Sequence, residues 1–129
     1  MKQVVEKLTA VGGEKILVTE RGTTFGYHDL VVDMRGLVVM RELGWPVVFD
    51  ATHSLQRPGG IESGGERRFA FPLMRAAIAC GVDGLFFETH PDPARARSDA
   101  ATQLPLDEAH AFLDDALRVR EALPARAHA

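Results

Sequence analysis

Apolar residues recur along the chain in two alternating rhythms, a helical period of about 3.6 residues and short continuous runs. Val4, Val5, Leu8 and Val11 predict a first helix, with Gly12-Gly13 as its stop. Lys15-Ile16-Leu17-Val18-Thr19 reads as a strand, bounded by those glycines and by Glu20-Arg21-Gly22. Thr23-Thr24-Phe25-Gly26-Tyr27 reads as turn or loop. Over 28–43, Leu30, Val31, Met34, Leu37, Val38 and Met40 predict a second helix. That assignment rests on the period, because the β-branched content is high. Gly44-Trp45-Pro46 ends it.

Residues 46–52 form a nearly continuous run of Val, Phe and Ala, the pattern of a parallel strand covered on both faces. The run stops at His53-Ser54, and a glycine-rich loop follows through Pro58-Gly59-Gly60 and Ser63-Gly64-Gly65. Residues 69–80 predict a strongly apolar helix with Pro72 in its first turn, where a missing N–H costs little, and Gly81 as its cap. Residues 84–89 predict a third strand ending in His90-Pro91-Asp92-Pro93. A polar loop to Gln103 leads into a final amphipathic helix over 106–123, with Ala109, Leu113, Ala116 and Leu117 along one side, and residues 124–129 read as a frayed tail.

This α-β-α-β-α-β-α order predicts an α/β fold with a parallel sheet and right-handed crossovers. Three strands are few for an open doubly wound domain, and Glu20-Arg21-Gly22-Thr23-Thr24 does not match a dinucleotide-binding fingerprint. A segment of an eight-stranded (β/α) TIM-type barrel accounts for the count better, and such barrels carry functional residues at the carboxyl tips of their strands.

Composition narrows the class. The 129 residues are 46% hydrophobic and 26% charged, which suits one globular domain rather than a disordered chain. A formal charge of −3 leaves no electrostatic footprint for nucleic acid or an anionic membrane. Cys80 is the only cysteine, so an internal disulfide is excluded and a reducing cytoplasm is the expected location. The first residues lack the apolar core of a signal peptide, and no window reaches the roughly 18 apolar residues of a membrane span.

The three predicted tips present Glu20-Arg21, His53, and Glu88 with His90. Neighbouring strands lie roughly 4.8 Å apart, so adjacent tips can share one small anionic substrate and one metal ion. Arg21-Gly22 has the ingredients of a phosphate clamp, a guanidinium fork beside a residue with no side chain, or else Arg21 is a strand-end residue in a surface ion pair. His53, Glu88 and Asp99 combine an imidazole with two carboxylates, a set suited to Zn, Fe or Mn rather than Ca. The other reading is a hydrogen-bonded histidine and two solvated acids. His90 suits a structural hydrogen bond, His28, His110 and His128 surface positions, and Cys80 a buried small hydrophobe away from the tips. The segment from Gln56 to Arg68, with Arg57, Ser63 and Arg67, is either a solvent-exposed connector or a mobile lid whose arginines attract a phosphorylated substrate.

Taken together, Thr19-Glu20-Arg21-Gly22-Thr23-Thr24-Phe25-Gly26-Tyr27, Val48-Phe49-Asp50-Ala51-Thr52-His53-Ser54-Leu55-Gln56, the two glycine-rich stretches, Phe87-Glu88-Thr89-His90-Pro91-Asp92-Pro93 and Ser98-Asp99 resemble the 3-deoxy-D-manno-octulosonate 8-phosphate synthases, also named 2-dehydro-3-deoxyphosphooctonate aldolases. The resemblance runs over about 1–123 and covers the carboxyl-terminal part of that family, its last three barrel strands and their helices. It implies a cytoplasmic transferase, a homotetramer in its full-length form. The family condenses phosphoenolpyruvate with arabinose 5-phosphate and water, for the inner core of lipopolysaccharide. It implies further that Arg21 binds the phosphate of phosphoenolpyruvate, that Gln56 lies in the segment closing over substrate, and that His53, Glu88 and Asp99 are metal ligands of the metal-dependent subclass. His53 is then the catalytic candidate, since a divalent metal held there would orient the aldehyde and activate water.

The departures are equally specific. The family's fourth metal ligand, a cysteine on its first strand, has no counterpart, and neither do its phosphoenolpyruvate-gripping lysines or its Lys-Ala-Asn-Arg-Ser loop. His28-Asp29 stands where two asparagines are common. Met1 aligns with an internal position, so a truncated, split or mis-started gene product without synthase activity of its own is expected. Two other readings are the related seven-carbon synthase and a non-catalytic barrel fragment that associates with itself or a complementing chain.

Overall fold

A computed structural model describes residues 1–25, 29–59 and 64–124. The expectations for Gly26, Tyr27 and His28, for Gly60 and Ser63, and for the tail from 125 with His128 fall outside those residues. At the centre is a parallel three-stranded sheet in the order β1 (Val18–Glu20), β4 (Val47–Asp50), β7 (Gly84–Phe86). Val18 pairs with Val47, and Asp50 with Phe86. The crossovers contain helices α2 (Met34–Arg41) and α3 (Ala70–Ala79), and α4 (Ala109–Ala122) packs on α3. The mixed α/β class with parallel strands is therefore as expected.

Pleating divides the apolar sheet residues between two faces. Val18, Val47 and Phe49 point toward the core and are almost completely buried, alongside Leu37, Met74 and Phe112. Burying side chains of this size contributes about 1.5–3 kcal/mol each. Phe112 is the wedge that docks α4, meeting Phe71 edge-on at 5.1 Å and Phe87 at 4.9 Å between ring centroids. The opposite face is different. Thr19 is exposed, Val48 and Gly84 are half-buried, and Phe86 at 43% exposure and nearby Leu17 at 67% remain open to solvent.

Several boundaries differ from the sequence reading, each for a physical reason. Residues 28–43 do not form one helix. Strand β2 (Thr23–Phe25) pairs antiparallel with β3 (Asp29–Val31), so Thr23–Phe25 is strand rather than loop and Leu30 and Val31 belong to a hairpin. The β-branched Thr23, Thr24 and Val31 favour that pairing over a helical turn. The helix begins only after Asp33, whose carboxylate accepts the Arg35 N–H at 3.0 Å as an N-cap. The first strand lies later than 15–19, and the sheet strand β4 is shorter than 46–52.

The apolar stripes of the outer helices are likewise redistributed. In α1 (Lys2–Ala10) only Val5 is buried, while Val4, Leu8 and the following Val11 are exposed. Gly12 stops it as expected, at φ +89°, a left-handed conformation that favours glycine. Along α4 the buried residues are Phe112 and Ala116, and Leu113 and Leu117 face outward. Those two leucines line an apolar groove of about 350 Å³ with Ile78, Val82 and Phe87, beside β7. Pro72 sits in the first turn of α3, and Gly81 closes that helix at φ +90°. No helix among the described residues is long and apolar enough to cross a membrane.

Candidate metal and anion site

All three sheet strands run in parallel, so their carboxyl ends lie together. After Asp50 the chain makes two tight turns, Ala51-Thr52 and then the 3₁₀ turn His53–Leu55. Strand β7 cannot continue alongside a partner that has turned away, and it stops at Phe86 rather than at 89. The Glu88 N–H is received instead by the Thr52 hydroxyl at 2.7 Å. Beyond it, β8 (Thr89–His90) pairs in parallel with β9 (Leu104–Pro105), which brings Gln103 back beside Glu88.

These turns bring His53, Glu88 and Asp99 together. The His53 Nε2 lies 3.6 Å from Glu88 Oε1 and 3.9 Å from Asp99 Oδ2, and the three donor atoms fall within 4.8 Å of one another. Around a tetrahedral ion with bonds of roughly 2.0–2.2 Å, donor atoms stand about 3.3–3.6 Å apart. The cluster is thus slightly expanded from a closed site, and its imidazole with two carboxylates suits a divalent metal ion. All three side chains are partly buried.

Each of the three is held by its outer atom, leaving the inner atom free to face the others. Asp50 Oδ2 lies 2.7 Å from His53 Nδ1. A carboxylate only accepts, so Nδ1 bears a hydrogen, and Nε2 is the ring atom turned toward the acids. Gln103 Nε2 donates to Glu88 Oε2 at 2.9 Å and also to the Ser98 carbonyl. Gln56 Nε2 donates to Asp99 Oδ1. Asp99 itself is at φ +54°, an uncommon backbone for a residue with a Cβ, and its carbonyl receives the Thr102 and Gln103 N–H groups at 2.9 Å. Such outer partners orient ligands and tune their affinity for metal.

Arg21 lies beside this cluster. It is exposed, and its Nη2 donates to Gln56 Oε1 at 2.9 Å. The adjacent Gly22 is at φ +88° and its N–H goes to Glu20 Oε1 at 2.5 Å. Arg21 therefore stands free of any carboxylate ion pair among the described residues, which leaves its guanidinium fork able to take an anion. The arginines of the 56–68 segment are engaged elsewhere. Arg57 pairs with Asp29 at 2.7 Å and with Glu66, Arg68 pairs with Glu66, and Arg67 reaches the Ala100 carbonyl at 2.6 Å.

The remaining candidates take structural roles. His90 Nδ1 accepts the Asp92 N–H at 3.0 Å, the structural hydrogen bond expected of it. His110 is exposed on α4. Cys80, half-buried, follows α3 and precedes β7, at the opposite end of the sheet from the tips. Sequence reasoning named His53, Glu88, Asp99, Arg21 and Gln56, and missed Asp50, Thr52 and Gln103. For Asp50 a signal existed, since a carboxylate three residues before a candidate metal-binding histidine, at the end of an apolar strand, has a reason to be there.

Residues 1–123 match the family described as the DAHP synthetase I family. The chain belongs to that family. Within it, the chain is 57% identical over 121 residues to the 2-dehydro-3-deoxyphosphooctonate aldolase of Syntrophotalea carbinolica, covering 92% of this chain and 44% of the relative. It is 58% identical over 116 residues to the enzyme of that name from Stenotrophomonas maltophilia, covering 88% of this chain and 42% of the relative. For the one from Nitratidesulfovibrio vulgaris the identity is 56% over 117 residues, covering 89% and 43%. This member of the DAHP synthetase I family thus spans less than half the length of the curated relatives it matches, and those relatives carry the name of a carbon–carbon bond-forming enzyme.

Proposed function

We propose that the chain supplies the carboxyl-terminal strands and helices of an eight-stranded (β/α) barrel whose whole is a 3-deoxy-D-manno-octulosonate 8-phosphate synthase. The observation that carries this reading is the convergence at one sheet end of His53, Glu88 and Asp99 with an anion-ready Arg21, in a chain 56–58% identical to aldolases of that name. The reaction joins the methylene carbon of phosphoenolpyruvate to the aldehyde carbon of arabinose 5-phosphate. Water adds to the neighbouring, phosphate-bearing carbon, and inorganic phosphate leaves from it.

Arg21 binds the phosphate of phosphoenolpyruvate through two parallel N–H donors and neutralises charge that builds on it as the phosphate departs. Gln56 sets the plane of that guanidinium from beneath. His53, Glu88 and Asp99 hold a divalent ion, Zn, Fe or Mn, and Asp50 keeps the proton on His53 Nδ1 so that Nε2 serves as ligand. The ion, when bound, supplies Lewis acidity to polarise the aldehyde and acidify water.

Alone, the chain is incomplete for this chemistry. It lacks the fourth ligand and the lysines and sugar-phosphate loop that the resemblance calls for. Its sheet face carries exposed Leu17 and Phe86, and the apolar groove under Leu113 and Leu117 opens beside β7. Such surfaces favour association with a complementing chain.

The test mixes the purified chain with the amino-terminal half of a relative, follows assembly by light scattering, and assays phosphate release from phosphoenolpyruvate with the five-carbon aldose phosphate. Turnover is expected in the assembled mixture and none from the chain alone. Turnover by the isolated chain would refute its incompleteness. An assembled mixture that used only a four-carbon aldose phosphate would establish the seven-carbon synthase instead, and assembly without any turnover would leave a non-catalytic module.

A further inference from the structure

We propose that Gln56 couples the two halves of this site, so that an anion on Arg21 and a divalent cation at His53, Glu88 and Asp99 strengthen each other's binding. The inference rests on the reading of the site given above and adds a linkage that neither half has by itself.

Gln56 opens the short strand β5 (Gln56–Arg57), directly after the turn that carries His53. One amide spans both halves: Oε1 accepts from Arg21 Nη2, and Nε2 donates to Asp99 Oδ1. These partners are 35 and 43 residues away along the chain, so only the folded state assembles the bridge. The amide has one orientation that satisfies both ends. Flipped, it would set N–H against the guanidinium N–H and carbonyl oxygen against the carboxylate. The dipole is therefore aligned, negative end on the cation and positive end on the anion.

A ligand on either half immobilises this bridge. A cation at Asp99 Oδ2 fixes the carboxylate, and through Oδ1 it fixes Gln56 and the guanidinium plane of the exposed Arg21. An anion on Arg21 fixes the same three groups in the opposite direction. Whichever ligand binds first bears the ordering cost of Gln56, and the second binds to a bridge already set. Linkage requires that the two effects be equal in size. Direct attraction between cation and anion adds to this, but it does not depend on the amide, which makes the two contributions separable.

The experiment titrates the chain, assembled with the amino-terminal half of a relative, calorimetrically with Mn²⁺, with and without saturating phosphoenolpyruvate, and then in the reverse order. A protein-free titration corrects for chelation in solution. In the wild type each ligand is expected to raise the affinity for the other by the same factor, on the order of 5- to 150-fold. In Gln56→Leu each ligand alone should bind more weakly, since Asp99 and Arg21 lose the amide that orients them, and beyond that loss the coupling factor should fall at least about three-fold while the thermal midpoint of the ligand-free protein holds. Gln56→Met, with a different shape and no amide, guards against a folding defect peculiar to leucine and should behave alike. The coupling is refuted if both variants keep the wild-type factor, or if both ligands bind the wild type independently. Failure of Mn²⁺ or phosphoenolpyruvate to bind the wild type at all would instead overturn the site reading, and the coupling with it.

Discussion

The carboxylate of Asp50 holds both the backbone and the ring of His53, taking its N–H on Oδ1 at 2.8 Å and lying 2.7 Å from its Nδ1 through Oδ2. A third bond, from the Thr52 N–H at 3.0 Å, completes the set around a side chain only 5% exposed. One buried residue thus shapes the turn and chooses the tautomer.

Asp50→Asn separates those two duties. The amide oxygen can still receive the backbone N–H groups, but the amide N–H directed at Nδ1 forces the ring proton onto Nε2. We expect binding of Zn²⁺ to weaken about 10- to 100-fold with little change in thermal midpoint. Asp50→Ala, which leaves buried N–H groups unpaired, should also cost about 1–3 kcal/mol in a urea titration. Equal metal affinity in wild type and Asp50→Asn would remove the tautomer argument.

Gln103→Leu releases Glu88 without removing a ligand. Glu88 Oε2 then loses its amide donor and the carboxylate is free to rotate away from His53. Zn²⁺ affinity measured by competition with a chelator should drop about 10-fold or more, still short of the complete loss expected for His53→Ala. An unchanged affinity would show that Glu88 is positioned by its backbone alone.

Gly65 lies on β6 (Gly64–Gly65), against the segment that positions Asp99. A Cβ added there would come within 2.2 Å of Thr102 Cγ2 and 2.8 Å of the Leu55 carbonyl oxygen. Thr102 is fully buried and its N–H binds the Asp99 carbonyl. Gly65→Ala should therefore destabilise the chain by about 1–3 kcal/mol and weaken metal binding with it. Gly36→Ala is the control, since its added Cβ meets open space on a helix.

The Asp33 cap supplies a pH signature. Hydrogen bonds from the Arg35 side chain and then its backbone N–H hold the Asp33 carboxyl below its ordinary range. A depressed pKa contributes stability that is present above the unfolded value, near 3.9, and is lost as pH falls through the folded value. Asp33→Ala should lower the thermal midpoint at neutral pH, and its difference from wild type should shrink as the pH is taken below about 4. A difference that persists unchanged into acid would mean that the cap does not depend on the charge.

Three strands and three long helices were legible in the residue pattern because their apolar periods are long or their runs continuous, as in Val47-Val48-Phe49 and in Ala70–Ala79. The β2–β3 hairpin was not. Its strands are three residues each, too short to show a period, and the β-branched content that signalled it was outweighed by spacing that continued into the true helix. The stripe on α4 was misread for a related reason. Leu113 looks like core by type, yet Phe112 fills the space against Phe71 and Phe87, and no pattern along one helix reports the shape of its neighbour.

By itself the sequence determined the alternation of strands and helices, the polar residues at the strand ends, and the residue types of the His53, Glu88 and Asp99 cluster. These follow from local rules, periodicity and donor chemistry, that act within a few residues. Tertiary structure decided which atom of each of these three side chains faces inward. Asp50, Gln103 and Gln56 do this through hydrogen bonds made at particular distances and angles, and a hydrogen-bond partner leaves no periodic trace in a chain. Parallel register at the sheet and the return of Gln103 beside Glu88 bring those partners into range, and only the folded backbone fixes that geometry.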